Sequence, residues 1–397
     1  MLTQPFADAV VEAEKIITGA PHIQTEQDLV EGYEYLAGNI RASLQLAWAR
    51  QRDFPYFVQS TGPYMKIGLD NPDTLYFHAY LRDDAEYVVT GRRGTTTDLS
   101  FQVLDADCAP AGVPGSLAAF DDRAIAVAGD GRFELRFGPA GDDSRQQRHR
   151  PNDFILGPGS AMLLVREVYS DWQTEQRGTI SIRRSDRAGC APPAPDRDTL
   201  AERYGVAGRI LLTRLRTFLT CPRGFCLELP VNTMTGPRPT PGGLSTQFSS
   251  AGHYDLGDGE AMIVTVPAAG KSTAPYQGIQ LASGWYVSLD YVSHQTSLTA
   301  DQASIDPDGR MRFVISERDP GVANWLECTG HRRGYVQIRW QRLSRELRPT
   351  DGPQVEVVPA DDLPRWLPFY DQARITPGEH ARRIAARQAA VAARMLG

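Results

Sequence analysis

Lysine is nearly absent from this 397-residue chain: Lys15, Lys66 and Lys271 are three of its 42 basic residues, and the rest are arginine. With 48 acidic residues the net charge is −6, so no basic excess points to nucleic acid, and no nucleic-acid partner is expected. Cysteine is also scarce. Cys108, Cys190, Cys221, Cys226 and Cys328 are an odd, scattered set, and only Cys221 and Cys226 are near neighbours, with no second pair to complete a zinc site. They read as reduced, structural thiols. No run approaches the roughly 20 apolar residues that span a bilayer; even Ala161 to Val168 meets Arg166 and Glu167. The first residues carry no basic segment leading into an apolar one. A cytoplasmic protein without membrane association is the expectation.

The common cofactor motifs are missing too. Gly270-Lys271-Ser272 follows an apolar strand, but Thr265 stands where a phosphate loop needs its leading glycine, and Pro275 interrupts the helix that should follow. Gly91-Arg92-Arg93-Gly94 lacks the three-glycine dinucleotide fingerprint, and no Gly-x-Ser-x-Gly elbow occurs. His22, His78, His149, His253, His294, His331 and His380 never pair at two, three or four residues' spacing. A metal would need ligands gathered from distant strands, so neither a cofactor nor a metal is expected.

What is present is an ordinary globular composition, 41% hydrophobic and 23% charged, long enough for two or three domains. Phe6, Val10, Ala13 and Ile17 keep helical spacing up to Gly19 and Pro21. Thr25 and Asp28 then resemble a capping box before a second stripe of Leu29, Tyr33, Leu36, Ile40, Leu44 and Trp48. From about Asp53 the period becomes two. In Thr74 to Leu81, Leu75, Phe77, Ala79 and Leu81 face one way, and Tyr76, His78 and Tyr80 the other. Further strands are read at Glu86 to Thr90, Asp98 to Leu104, Arg132 to Phe137, Ala161 to Tyr169 and Thr179 to Arg183.

The Pro/Ala-rich stretch Ser185 to Asp198 reads as a linker. After it come a helix over Leu200 to Leu219, strands from Ala261 to Leu343, and a final Arg/Ala helix. Thr376, Pro377 and Glu379 open that helix as a capping box and mark it as a docking arm. The expected layout is a helical segment (1–52), a first β lobe (53–184), the linker (185–198), a helix with a second β lobe (199–343), and a C-terminal extension (344–397).

The two β regions repeat a pattern. Asp130-Gly131-Arg132, Asn152 and Val165-Arg166 recur as Asp308-Gly309-Arg310, Asn324 and Ile338-Arg339. Residues present in both copies are most simply turn and strand-pairing groups. The fold class read from this is mainly β with helical additions (α+β), built on two related sandwich-like lobes.

Chemistry is sought in what remains. Gly284 to His294, read as a strand, puts Trp285, Val287, Leu289 and Tyr291 on one face, and Tyr286, Ser288, Asp290 and His294 on the other. Asp290 in such apolar surroundings suits a general base, although a regular strand holds it roughly 13 Å from His294 and so disfavours a Ser288, Asp290, His294 triad. Arg318 to Arg333, read as a loop, adds Trp325, Glu327 and His331. The catalytic candidates are Asp290, His78 and His331. Tyr76, Tyr80, Trp285, Tyr286, His294, Trp325 and Glu327 are the ligand-binding candidates.

The segments Asn71 to Tyr76 (NPDTLY), Val89 to Gly94 (VTGRRG), Ser288 to Leu298 (SLDYVSHQTSL) and Asp319 to Leu326 (DPGVANWL) resemble bacterial members of the family catalogued as domain of unknown function 1214, often found with the related domain 1254. The resemblance covers most of the chain and implies a β-rich fold with helical additions. It supplies no catalytic residue. Here Glu327-Cys328-Thr329 follows where many members carry a proline-containing stretch. The expectation is therefore a cofactor-independent lyase, isomerase or hydrolase acting on a hydroxylated, largely apolar small molecule in a cleft between the lobes. The alternative is a non-catalytic carbohydrate- or lipid-binding protein, and self-association is left open.

Overall fold

The computed structural model describes residues 1–105, 115–139, 151–240 and 246–396. Cys108 and His149 lie outside the described residues. The chain forms two compact units: Met1–Ile67, Leu75–Glu167 and Gln176–Phe218 make the first, and Gly68–Thr74, Val168–Glu175 and Leu219–Gly397 the second. The stretch Ser185 to Asp198 lies in the first unit, exposed from 186 onward.

Unit 1 opens with α1 (Gln4–Thr18) and α2 (Glu26–Ala49). Thr25 caps α2 as expected, its hydroxyl accepting Asp28 N–H at 3.1 Å while the Asp28 carboxylate accepts Thr25 N–H at 2.9 Å. The buried face of α2 is rotated from the stripe of large residues. Gly32, Tyr35, Leu36, Asn39, Ala42, Ser43 and Leu46 face inward, and Tyr33 is exposed. Small residues let the backbone come close: a Cβ on Gly38 would lie 2.8 Å from the Tyr64 carbonyl.

Among the described residues nine strands follow: β1 (Val58–Gln59), β2 (Thr74–Tyr80), β3 (Tyr87–Arg92), β4 (Asp98–Leu104), β5 (Ser116–Asp121), β6 (Arg132–Pro139), β7 (Asp153–Leu156), β8 (Met162–Val168) and β9 (Thr179–Arg184). One sheet runs β1-β2-β8-β4-β5, the other β7-β6-β3-β9. Ala79, Leu81, Phe101 and Val165 from the first meet Tyr87, Val89, Phe133 and Leu135 from the second in one core. Period-two alternation then sends Tyr80, Met162, Leu164 and Leu104 to the outer face, which α2 and α3 (Arg197–Pro222) cover with Leu46, Ala47, Val206 and Ile210.

Unit 2 repeats the design, with ten strands among the described residues: β10 (Thr233–Met234), β11 (Arg238–Pro239), β12 (Phe248–Asp255), β13 (Glu260–Pro267), β14 (Tyr276–Ala282), β15 (Ser297–Thr299), β16 (Arg310–Ser316), β17 (Trp325–Glu327), β18 (Arg333–Gln341) and β19 (Gln354–Pro359). Its sheets, β10-β12-β18-β14-β15 and β17-β16-β13-β19, match those of unit 1 strand for strand, β11 being an addition on β12. Each unit even carries one parallel pair in the same place, β6 with β7 and β16 with β17. The fold is thus a β-rich α+β fold of two related lobes, as read.

The repeated residues are turn and pairing groups. Gly131 and Gly309 sit at φ of 84° and 78°, where a side chain is strained. Asn152 grips Ala126 through both backbone groups, at 2.6 and 2.9 Å, and Asn324 grips Ser304 at 2.8 and 2.7 Å. Each locks the loop ahead of the parallel strand.

After β19 come α4 (Leu363–Trp366), α5 (Tyr370–Ala373) and α6 (Pro377–Leu396). Two backbone bonds, Ala323 N–H to Ala373 O (2.8 Å) and Ile375 N–H to Gly321 O (2.9 Å), fasten the extension beside β17. Thr376 and Glu379 then start α6 with the expected capping box. No helix among the described residues is long and apolar enough to cross a membrane.

Candidate functional site

The candidates on β2 divide by burial. Tyr80 is fully buried under the helices and Tyr76 packs at the edge of the same cluster. His78 is partly buried, with Nδ1 2.8 Å from Ser60 Oγ. Burial pushes its pKa down to about 3, and the nearby Arg214 and Arg166 guanidiniums push the same way, so the ring is neutral at neutral pH.

The segment 284–294 is not a strand. Tyr286 takes a φ of 57° and donates its N–H back to Ser283 O at 3.0 Å, which turns the chain at once. The two-faced alternation fails with it: Trp285, Tyr286, Val287, Ser288, Leu289 and Tyr291 are all buried. Tyr286 packs edge-on against Tyr335 at 5.2 Å. Ser288 donates from Oγ (2.7 Å) and N (3.0 Å) to the buried Asp70 carboxylate, not toward a histidine. Asp290, expected in apolar surroundings, is exposed. Its carboxylate accepts the Val292 and Ser293 N–H groups at 2.8 and 3.0 Å and so caps a turn.

The region 318–333 is likewise more ordered than a loop, since β17 runs through it. Trp325 is 7% exposed and its indole N–H donates to Ser316 O at 3.0 Å, which leaves little ring face for a ligand. His331 is buried in a turn, Nδ1 lying 2.9 Å from Cys328 O and 3.2 Å from Thr329 Oγ1. Burial pushes the adjacent Cys328 thiol up to about 12, so it is no nucleophile.

Two of the candidates do meet. Glu327, at the end of β17, lies with Oε2 2.7 Å from His294 Nδ1, and its Oε1 accepts Gln295 N–H at 2.7 Å. A third residue, which sequence reasoning missed, completes the group: His380 of α6 places Nε2 3.3 Å from Glu327 Oε1 and leans its ring on Trp325, centroids 5.2 Å apart. One carboxylate therefore serves two imidazoles. Glu327 and His380 are largely buried, whereas the His294 side chain is 45% exposed. Its Nε2 has no hydrogen-bond partner among the described residues, nor does His380 Nδ1.

The signal for His380 was a spacing on α6. His380, Arg383, Arg387, Ala390 and Arg394 fall at i, i+3, i+7, i+10 and i+14, one face of the helix. That face docks on unit 2. Arg383 donates to Ala323 O at 2.6 Å; Arg387 donates to Tyr291 O (3.2 Å), Ser297 O (3.0 Å) and Ser297 Oγ (2.9 Å). Arg387 and Arg394 stack on the Trp172 ring at 4.4 and 4.2 Å. The Trp172 indole in turn donates to the buried Asp73 carboxylate at 2.7 Å, and Tyr276 OH donates to the same group at 2.7 Å. Burial raises the Asp73 pKa against the opposing pull of these donors and both arginines. Gly278 makes room for the pair, since a Cβ there would sit 2.6 Å from the Tyr276 hydroxyl.

No family model and no curated protein matches the sequence. Among solved structures, the chain is similar to an uncharacterized protein from Burkholderia cenocepacia, with 24% identity, a TM-score of 0.77, and coverage of 90% of this chain and 96% of that one. The two share a fold. It is also similar to a Vibrio parahaemolyticus protein at 13% identity and a TM-score of 0.45, over 88% of this chain and 100% of that one.

Chemically, the Glu327 group is a carboxylate-oriented imidazole. A Nδ1–H bond to Glu327 fixes the His294 tautomer, turns the Nε2 lone pair outward, and supplies a negative charge beside any imidazolium that forms. Gln295 N–H and His380 hold the far oxygen, so the carboxylate does not swing. A metal fits poorly, because ring nitrogens of both histidines face the carboxylate rather than a shared vacant point. Among the described residues no three His, Cys, Asp or Glu side chains are grouped to hold a metal ion.

Proposed function

We propose that the protein is a small-molecule enzyme of the lyase, isomerase or hydrolase type, in which His294 is the general acid–base, Glu327 orients it, and His380 holds Glu327. The observation that carries this reading is the 2.7 Å bond from His294 Nδ1 to Glu327 Oε2, on a ring whose Nε2 reaches solvent. A structural ion pair needs no second imidazole and no backbone donor on the same carboxylate. The residues named for the family resemblance favour the same place: SLDYVSHQTSL contributes His294, and DPGVANWL leads into Glu327. We infer membership of that family on these segments.

The reading replaces Asp290 and His331 as catalytic groups, since one caps a turn and the other is buried in one. Small polar metabolites of varied class, incubated with the wild type and followed by mass spectrometry, provide the test. Conversion of at least one compound is expected, with His294→Gln losing about 10² or more in kcat while KM stays within about tenfold. A panel left wholly unconverted, or a His294→Gln variant of unchanged turnover, removes the enzyme reading.

A further inference from the structure

The segment Val89 to Gly94 (VTGRRG) takes no part in the His294 group, and its two arginines serve different ends. Arg93 turns back into unit 1, where Nε donates to Asp122 Oδ2 at 2.7 Å and one Nη to Thr96 Oγ1 at 2.8 Å. Arg92 points outward with Thr90, because Tyr87 and Val89 of the same strand fill the core. Arg92 and Thr90, with Thr179 and Ser181 of β9 and with Asp130 and Arg132 at the turn into β6, line an open cleft of about 580 Å³ on the outer face of the sheet. That volume is in the range of small-molecule sites.

Arg92 and Arg132 are direct cross-strand partners on this face, and like charges so placed cost stability when nothing lies between them. Each is held by its Nε: Arg92 donates to the Asp130 carbonyl at 2.8 Å, and Arg132 to the Asp130 carboxylate at 2.6 Å. Their Nη groups have no hydrogen-bond partner among the described residues. Asp130 is the one carboxylate that lines the cleft among the described residues, and both arginines act on it, which leaves two guanidiniums against one negative charge. Beside them the Thr90 and Ser181 hydroxyls lie 2.8 Å apart. Unit 2 shows that the turn does not need the second arginine. There Arg310 of the matching turn faces Pro267 across the strands, and the outer face is apolar, with Ile263 and Val314 packed under Leu363 and Leu367.

We propose that this cleft binds a small hydroxylated phosphomonoester of the sugar phosphate class, with Arg92 and Arg132 on the phosphate oxygens and Thr90 and Ser181 on the hydroxyls of its body. Two forks reaching from neighbouring strands match the three terminal oxygens of a tetrahedral dianion, whereas a carboxylate presents one planar edge that a single fork satisfies. The Nε bonds hold both forks in place before the ligand arrives, which lowers the ordering cost of binding. With no aromatic ring lining the cleft among the described residues, its hydroxyls suit a sugar better than a base. The proposal concerns unit 1 and does not rest on the His294 reading.

The test is saturation-transfer difference NMR on the full-length protein, titrated separately with glucose 6-phosphate, glucose and sodium glucuronate. Glucose 6-phosphate should bind saturably with a Kd of about 1 mM, and glucose and glucuronate at least about tenfold more weakly. Arg92→Gln and Arg132→Gln, both at exposed side chains, should each weaken glucose 6-phosphate by about tenfold. Arg183→Gln removes the same charge from the same face but outside the cleft, and should change the affinity by less than about twofold. No saturation by glucose 6-phosphate up to about 20 mM, or glucose or glucuronate binding as tightly, would overturn the proposal. Equal losses in Arg183→Gln and Arg92→Gln would overturn it too, since they would mark general attraction to a basic surface. Arg92-dependent sedimentation with phosphatidate vesicles while glucose 6-phosphate stays silent would assign the phosphate to a lipid and overturn the small-molecule reading.

Discussion

His78 should make unit 1 sensitive to mild acid. Its pKa lies near 3 in the folded protein against 6.5 for a free histidine, so the unfolded chain takes up a proton at a pH where the folded one does not. For a depressed pKa the stabilisation is complete above 6.5 and is lost as pH falls toward the folded value. One proton corresponds to about 1.4 kcal/mol per pH unit in that window, so lowering pH from about 7.5 to about 5 should remove about 2 kcal/mol. His78→Gln removes the proton uptake and keeps a side-chain acceptor for Ser60. Urea unfolding followed through amide exchange in β2 and β8 reads the difference directly. Glu167 and Asp73 have raised pKa values caused by burial, and they titrate with the opposite sign. They are common to both proteins and cancel in the comparison. Equal losses in wild type and His78→Gln would refute the buried, neutral histidine.

The repeat and the docking helix give further expectations. Asn324→Ala strands both backbone groups of Ser304 and should cost about 1–3 kcal/mol in thermal unfolding, whereas Asn152→Gly should be milder than Asn152→Ala by about 1 kcal/mol because Asn152 has a φ of 72°; equal effects of glycine and alanine at 152 would contradict this. Arg387→Met leaves two carbonyls without their donor and removes one of the two guanidiniums acting on the Asp73 carboxylate, and should cost about 3–5 kcal/mol, seen as early loss of amide protection along α6. Unchanged protection of α6 would show that the arginine face does not anchor it.

Much of this architecture could be read from sequence because it rests on local chemistry. Glycines at positive φ and asparagines that bond backbone groups recur at matched spacing, so the two lobes are legible in the sequence. Thr74 to Leu81 alternated cleanly because a sheet packed on both sides needs two distinct faces. The segment 284–294 alternated too, yet forms no strand: Tyr286 turns back on Ser283, and Ser288 is claimed by Asp70, which lies 218 residues earlier. Such a distant partner leaves no local trace. The same applies to the site. His294 and Glu327 are 33 residues apart in sequence, and the backbone bonds of Ala323 and Ile375, with the Arg383 and Arg387 bonds to Ala323, Tyr291 and Ser297, bring α6, and with it His380, to their side. The arginine spacing on α6 was legible as one face. A basic face is ordinarily solvated, and here burial on carbonyls and aromatic rings reverses that rule.

Proton transfer at His294 is most directly tested by hydrogen exchange into small molecules in D2O. A panel of compounds carrying acidic C–H or exchangeable leaving groups would be incubated with wild type, Glu327→Gln and Asp290→Asn, and deuterium incorporation read by mass spectrometry. The account predicts C–D incorporation into, or cleavage of, at least one compound by wild type, retention of that rate in Asp290→Asn, and a loss of about 10² or more in Glu327→Gln. Turnover that survives in Glu327→Gln, disappears in Asp290→Asn, or is absent across the panel in wild type would contradict it.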